Sequence, residues 1–365
     1  SRRPWHGIAG RILGGVQALG FAPLPFWCFN NLRVTISVWR LNMAELLKPF
    51  WHPSVCLGFI LDWDGVLADT RLDFSGIRKK YFEGKRVPLI EAAQLLTQDQ
   101  KEELWNDIYA LEMEGAAKAV PVDGSLQLVQ WLDDHEIPWA VVSRNCMDSI
   151  NLAADRIGFP LPEVTMSRDD GPQKPDPEAL WLAAKRIGIQ PSRCVMVGDF
   201  LYDLVGARRA GMRSVLVERT GEDWDFWADA CFPRVTDLLE SLSDPAPLVP
   251  WEYHSLVNRK SKEWLLRAWN FHLHLPSEDP NISQKAFRGA SLGIGHISVS
   301  PGGTVSMDQW ENWPGATSIF LDAPLVKCIR TYIEGHFPLV SIEESYEGYD
   351  PGNRDLGELL EERIS

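Results

Sequence analysis

The sequence predicts an α/β protein built on a parallel sheet, with added regions at both ends of the chain. Three observations carry this. Residues 55–61 form an apolar run that ends in two carboxylates, Asp62 and Asp64, followed at once by Gly65. From residue 122 to 242, strand-like and helix-like stretches alternate, as crossover connections in a parallel sheet require. A second apolar run, CVMVG at 194–198, ends in Asp199. Runs without polar alternation are the pattern of strands covered on both faces. In open parallel sheets, ligands gather at the carboxyl ends of the strands.

Residues 1–50 form a basic, aromatic-rich arm. They hold Arg2, Arg3, Arg11, Arg33, Arg40 and Lys48 against Glu45 alone, a charge of +5, whereas the remainder carries −19 of the total −14. The acidic body argues against general nucleic-acid affinity, while the arm suits phosphate contacts with an anionic surface such as RNA. Residues 12–32 lack formal charge, but Gln17, Pro23, Pro25, Asn30 and Asn31 interrupt them, so no membrane-spanning segment is expected. Residues 34–50 read as a short amphipathic helix. The Arg-rich, acid-poor start resembles an organellar targeting segment. Six widely spread cysteines without metal-like spacing suit an intracellular reducing compartment, an organellar matrix included.

After the first strand, residues 71–120 read as a helical insert. Leu89, Ala92, Ala93, Leu95 and Leu96 mark one apolar face, and Leu104, Ile108, Leu111 and Ala116 another. The basic group Arg78, Lys79, Lys80, Lys85 and Arg86 has two readings, a solvated helix face or an attraction for a phosphorylated substrate. Beyond it come a helix at 123–134 with Asp123 as acidic cap, a strand at 139–143 ending in Ser143, and a helix at 147–157 stopped by Gly158. A strand at 163–166, a loop containing Lys174 and a helix at 177–187 follow. The strand ending at Asp199, a helix at 201–210, a strand at 213–217 and a helix at 236–242 complete the block. Residues 243–250, with three prolines, read as a linker. In 251–365, whose fold is unassigned but of α+β character, residues 263–272 are expected to be helical. Short strands are expected within 291–304. His272 and His274 read as a ligand pair or as two isolated surface histidines.

The strand ends and one loop supply a set suited to phosphoryl transfer. Asp62 is a carboxylate nucleophile able to form an aspartyl phosphate, and Asp64 an acid and base for the leaving oxygen and the water. Phosphate near carboxylates calls for Mg²⁺, assigned to Asp62, the backbone carbonyl of Asp64, Asp199 and Asp203. Ser143, Arg144, Asn145 and Lys174 are the candidate phosphate ligands, with Ser143 and Lys174 also counted as catalytic.

Four segments, DWDGVLADT at 62–70, VVS at 141–143, QKPDPEAL at 173–180 and GDFLYD at 198–203, occur in this order. In them the chain resembles the haloacid dehalogenase-like (HAD) superfamily, and within it the phosphoglycolate phosphatase-like branch, from Cys56 to about Leu242. The resemblance implies a Rossmann-like core over 51–242, a helical cap inserted after the first motif, and Mg²⁺ dependence. The second Asp of the D-x-D pair points to phosphatase or phosphomutase chemistry and away from dehalogenation. The insert is short for a cap of this family, which disfavours a mutase that must retain an intermediate. Val66 stands where Thr is usual. The expected function is a Mg²⁺-dependent phosphatase acting on a small phosphorylated metabolite. The alternative is recruitment as a structural or assembly subunit of an organellar complex, such as a mitochondrial ribosome or respiratory complex, with protein partners bound through 1–50 and 251–365. Eight of the 16 Trp lie in those outer regions.

Overall fold

The computed structural model describes residues 48–314 and 321–364. Most of the basic arm, including its expected amphipathic helix and Cys28, lies outside the described residues. The central element is a six-stranded, all-parallel sheet of order β5-β4-β1-β6-β7-β8. Its strands are β1 (Gly58–Leu61), β4 (Trp139–Val142), β5 (Thr165–Met166), β6 (Cys194–Gly198), β7 (Arg213–Leu216) and β8 (Ala230–Cys231). Every residue of β1, β4 and β6 is buried.

Alternating side chains fill two cores. Phe59, Leu61, Val141, Val195 and Val197 pack under the helices Ser125–Asp134, Met147–Ile157 and Val235–Ser243. Ile60, Ala140, Val142, Cys194 and Met196 pack under Pro177–Arg186 and Leu201–Ala210. Each such aliphatic side chain contributes about 1.5–3 kcal/mol on burial, so the middle of the sheet is the rigid part of the molecule. Leu61 pairs with Val141 on one side and with Val197 on the other. The chain therefore leaves β4, β1 and β6 at nearly the same level, which brings Ser143, Asp62 and Asp199 to one edge.

The helical insert leaves through a small antiparallel pair, β2 (Ala68–Asp69) with β3 (Val120–Pro121), and contains helices Ser75–Phe82, Leu89–Ala92 and Gln98–Ala116. Thr97 and Gln100 form a capping box on the last of these. Leu104 and Ile108 are buried with Ile77, Leu89 and Ala93, but Leu95 is 84% exposed. A 3₁₀ turn over Ala93–Leu95 explains the difference, since its tighter winding swings Leu95 off the apolar face that an α-helix would give it. Asp123 does not cap the next helix. Gly124, in the left-handed region at φ 84°, occupies that place.

The segment expected as a linker is pinned, because Trp51 and Leu248 exchange backbone hydrogen bonds of 3.0 and 2.9 Å. Beyond it, a three-stranded parallel sheet of order β11-β10-β9 comprises β9 (His272–Leu275), β10 (His296–Val299) and β11 (Ser341–Glu344). Its core holds Trp264, Leu273, Ile297 and Ile329, together with Phe50 from before β1. The helix expected over 263–272 ends at Trp269, so His272 opens β9 instead. No helix among the described residues is long and apolar enough to cross a membrane.

Candidate active site

Asp62 follows β1 directly, and its amide donates to the Val197 carbonyl at 2.9 Å, which fixes the backbone to β6. Its Oδ1 accepts from the Trp63 amide at 2.7 Å and faces Lys174 Nζ at 2.8 Å. Among the described residues, Oδ2 has no such partner. The turn that follows depends on Gly65, at φ 80°, where a Cβ would stand 2.5 Å from Asp199 Oδ2. Any larger residue there would displace that carboxylate. Asp64 then comes to rest against Thr70, whose amide donates to its Oδ1 at 3.0 Å and whose hydroxyl donates to the same oxygen.

Lys174 is 1% exposed and lies between two carboxylates, 2.8 Å from Asp62 Oδ1 and 2.6 Å from Asp203 Oδ1. Asp203 sits in the first turn of the helix Leu201–Ala210, where its Oδ2 accepts from the Phe200 amide at 3.1 Å. Gly198 lets it approach, since a Cβ at that position would meet the Asp203 side chain at 2.3 Å. Asp199 is held by Arg219, with Nε and Nη2 each 3.0 Å from its Oδ2. Ser143 is buried beyond β4, and its Oγ accepts from the Asn145 amide at 3.1 Å.

Burial dominates the electrostatics. It pushes Asp62 well above the ordinary carboxylate range, Asp203 adds to the shift, and Lys174 opposes it. Asp64 is likewise raised by burial, against the pull of its Thr70 bonds. Burial and then Asp203 push Asp199 up to about 6, with Arg219 opposing. For Lys174, burial pulls the pKa down, but Asp203 and Asp62 outweigh it, so the ammonium ends above its usual range.

Carboxylate oxygens of Asp62, Asp199 and Asp203 lie within 4.8 Å of one another, the one such cluster among the described residues. Four carboxylates, with Asp64, face two cations, Lys174 and Arg219, and oxygen donors of this kind fit a hard divalent cation. His272 and His274 form no comparable group. His272 Nε2 faces Glu343 Oε1 at 3.5 Å, and the ring of His274 bonds the Ser298 and Ser300 hydroxyls at 3.0 and 3.3 Å.

The site opens into a cavity of about 800 Å³ shared with the insert. Ser143, Arg144 and Asn145 line it. The Arg144 guanidinium is turned to Glu91 of the insert, with two contacts of 3.1 Å, and lies 4.3 Å over the Tyr202 ring. Arg168 holds Glu112 of the insert through both terminal nitrogens. Sequence reasoning missed Arg219, Arg168, Glu112 and Glu91. Arg219 alone left a local signal, since it stands just past β7 on the same sheet edge; the others are joined by pairings across 53 and 56 residues.

The fold and site define a parallel α/β protein with a cluster of carboxylates at the carboxyl edge of its sheet. Residues 57–211 match the family of haloacid dehalogenase-like hydrolases, and the chain carries a domain of that superfamily. It is 25% identical over 240 residues to a haloacid dehalogenase-like hydrolase domain-containing protein of Arabidopsis thaliana, covering 60% of this chain and 95% of that one. Hexitol phosphatase A of Escherichia coli is 29% identical over 182 residues, 44% of this chain and 83% of the relative. Phosphoglycolate phosphatase of Xanthomonas campestris is 26% identical over 231 residues, 58% and 96% respectively. Among solved structures, a hydrolase from Pseudomonas syringae aligns with a TM-score of 0.46 at 22% identity, over 52% of this chain and 99% of that one.

Proposed function

We propose that the protein is a Mg²⁺-dependent phosphatase that hydrolyses a small phosphomonoester through an aspartyl phosphate on Asp62. The observation that carries this reading is the division of labour between the two carboxylates. Asp62 has one oxygen held by Trp63 and Lys174 and the other unbonded among the described residues, as a positioned nucleophile requires. Asp64 is raised by burial and held on one oxygen by Thr70, as suits a group that carries a proton to a leaving oxygen. Phosphatase-named relatives support the same chemistry.

Asp62 attacks phosphorus, the bond to the ester oxygen breaks, and the Asp64 proton goes to that oxygen. Asp64, now a carboxylate, takes a proton from water as the water oxygen bonds to phosphorus. The bond from phosphorus to Asp62 then breaks and inorganic phosphate leaves. Ser143 offers a hydroxyl to the phosphoryl oxygens, and Lys174, 2.8 Å from Asp62 Oδ1, favours the ionised form of Asp62 against its burial. Asp62, Asp199 and Asp203, together with the backbone carbonyl of Asp64, would hold Mg²⁺, and the ion would supply charge neutralisation for the phosphoryl group.

The test is phosphate release from a generic phosphomonoester by the full chain with Mg²⁺. Asp62→Asn should reduce it by at least about 10³-fold. Undiminished release by the variant, or full activity in excess chelator, would overturn the reading.

A further inference from the structure

Six cations line the cavity, and three of them are committed: Arg144 to Glu91, Arg168 to Glu112 and Arg219 to Asp199. The other three, Arg78, Lys79 and Arg86, come from the insert and enter no ion pair found among the described residues. Their sequence neighbours outside the cavity behave differently. Lys80 pairs with Asp107 at 2.8 Å, and Lys85 with Glu83 at 2.8 Å. Within the stretch 78–86, the cations outside the cavity are thus neutralised and those lining it are not.

Arg78 is half-buried and oriented. Its Nε donates to the Val87 carbonyl at 3.4 Å, and its guanidinium lies 5.9 Å from the Phe74 ring centroid. Asp73, the carboxylate beside it on the cavity wall, is taken up by the Ser75 amide and hydroxyl at 2.9 and 2.8 Å. Burial and the neighbouring Arg86 pull the Arg78 pKa down, with Tyr202 and Asp73 opposing. A cation kept from water beside a like charge is a position that an anion would stabilise. Leu72, Phe74, Val87 and Leu89 line the same cavity, so apolar side chains stand among these cations.

We propose that the substrate carries a second anionic group, a carboxylate or a second phosphate, on a short carbon chain, and that Arg78, with Arg86 and Lys79, binds it. This deepens the phosphatase reading and rests on it for the identity of the first group. The cavity volume leaves room for such a tail beyond the phosphoryl group. Arg78 would bind the tail with two guanidinium nitrogens, since only its Nε is engaged.

The proposal is tested by calorimetric titration of the full chain with Mg²⁺ and three phosphonates that cannot be hydrolysed: propylphosphonate, phosphonopropionate and propane bisphosphonate. At least one anionic tail should bind about tenfold or more tightly than the neutral one, and the two anionic arms separate carboxylate from phosphate. Arg78→Gln should bring that ratio to within about threefold of unity. Lys80→Gln, which removes the same charge from outside the cavity, should leave the ratio intact. Equal affinity for all three ligands, no binding of any, or a uniform weakening in Arg78→Gln would overturn the proposal. Failure of the phosphatase reading has a different signature: discrimination between the tails persists, while no ester releases phosphate.

Discussion

Arg168, just past β5, grips Glu112 of the helical insert with both terminal guanidinium nitrogens, and the carboxylate is 2% exposed. The same carboxylate accepts the Cys146 amide at 3.1 Å, where the chain leaves Ser143 for its next helix. One buried charge pair therefore fixes the insert to the loop after β4, at the wall of the cavity. Removing one partner of such a pair leaves a buried charge uncompensated, at a cost of about 3–5 kcal/mol. Glu112→Gln should lower the urea midpoint accordingly. The double variant with Arg168→Gln should cost less than the two single changes together, which a double-mutant cycle would read out.

Lys174 separates Asp62 from Asp203, and its charge opposes the upward shift that burial imposes on Asp62. In Lys174→Met, Asp62 should hold its proton to higher pH and so lose nucleophilicity. The expected loss in kcat is about 10²–10³-fold, as for other single groups that stabilise charge at a reacting centre. Phosphate release as a function of pH checks this, with an unchanged rate as the contrary result.

His52 provides a pH dependence of stability away from the site. Its Nδ1 accepts the Ser54 amide at 3.1 Å and its Nε2 meets the Ser241 hydroxyl at 2.9 Å, an arrangement that needs the neutral ring. Burial lowers its pKa from 6.5 to about 4. Between those values the unfolded chain takes up a proton that the folded one does not, so stability is lost as pH falls from about 6.5 to about 4. The loss attributable to this one residue is about 3 kcal/mol. Denaturation across that window should show a shallower pH slope for His52→Gln than for the native chain.

Gly65→Ala tests the closeness of the turn to the carboxylates. The added methyl would lie 2.5 Å from Asp199 Oδ2 in a backbone region that costs alanine about 1–2 kcal/mol. Activity should fall by at least about tenfold while circular dichroism retains the native signature. Retention of full activity would show that Asp199 yields without consequence.

The sheet edge was legible because apolar runs and their polar ends are local. β1, β4 and β6 announce themselves by composition, and Asp62, Ser143 and Asp199 follow them directly. Two-residue strands such as β8 carry too little pattern to be seen. The ion pairs that fix the insert were hidden, since nothing near Glu112 specifies that its partner lies 56 residues away. Leu95 and Asp123 misled for a related reason: a 3₁₀ turn and a left-handed glycine changed where the helical geometry began and ended. His272 was drawn into a helix because the apolar spacing of 263–269 runs on into the strand without a glycine or proline to stop it.

Phe50 lies ahead of the large sheet in the chain, yet it is buried in the core of the small one. At the same seam, Asp229 beside β8 accepts the Trp251 amide at 3.1 Å and pairs with Arg208 and Arg213, and Arg213 continues to Glu252. Each half of the molecule thus contributes material that the other needs for its own interior. Heating should melt both halves together in a single calorimetric transition, and cutting the chain after residue 242 should yield two fragments less stable than their parent.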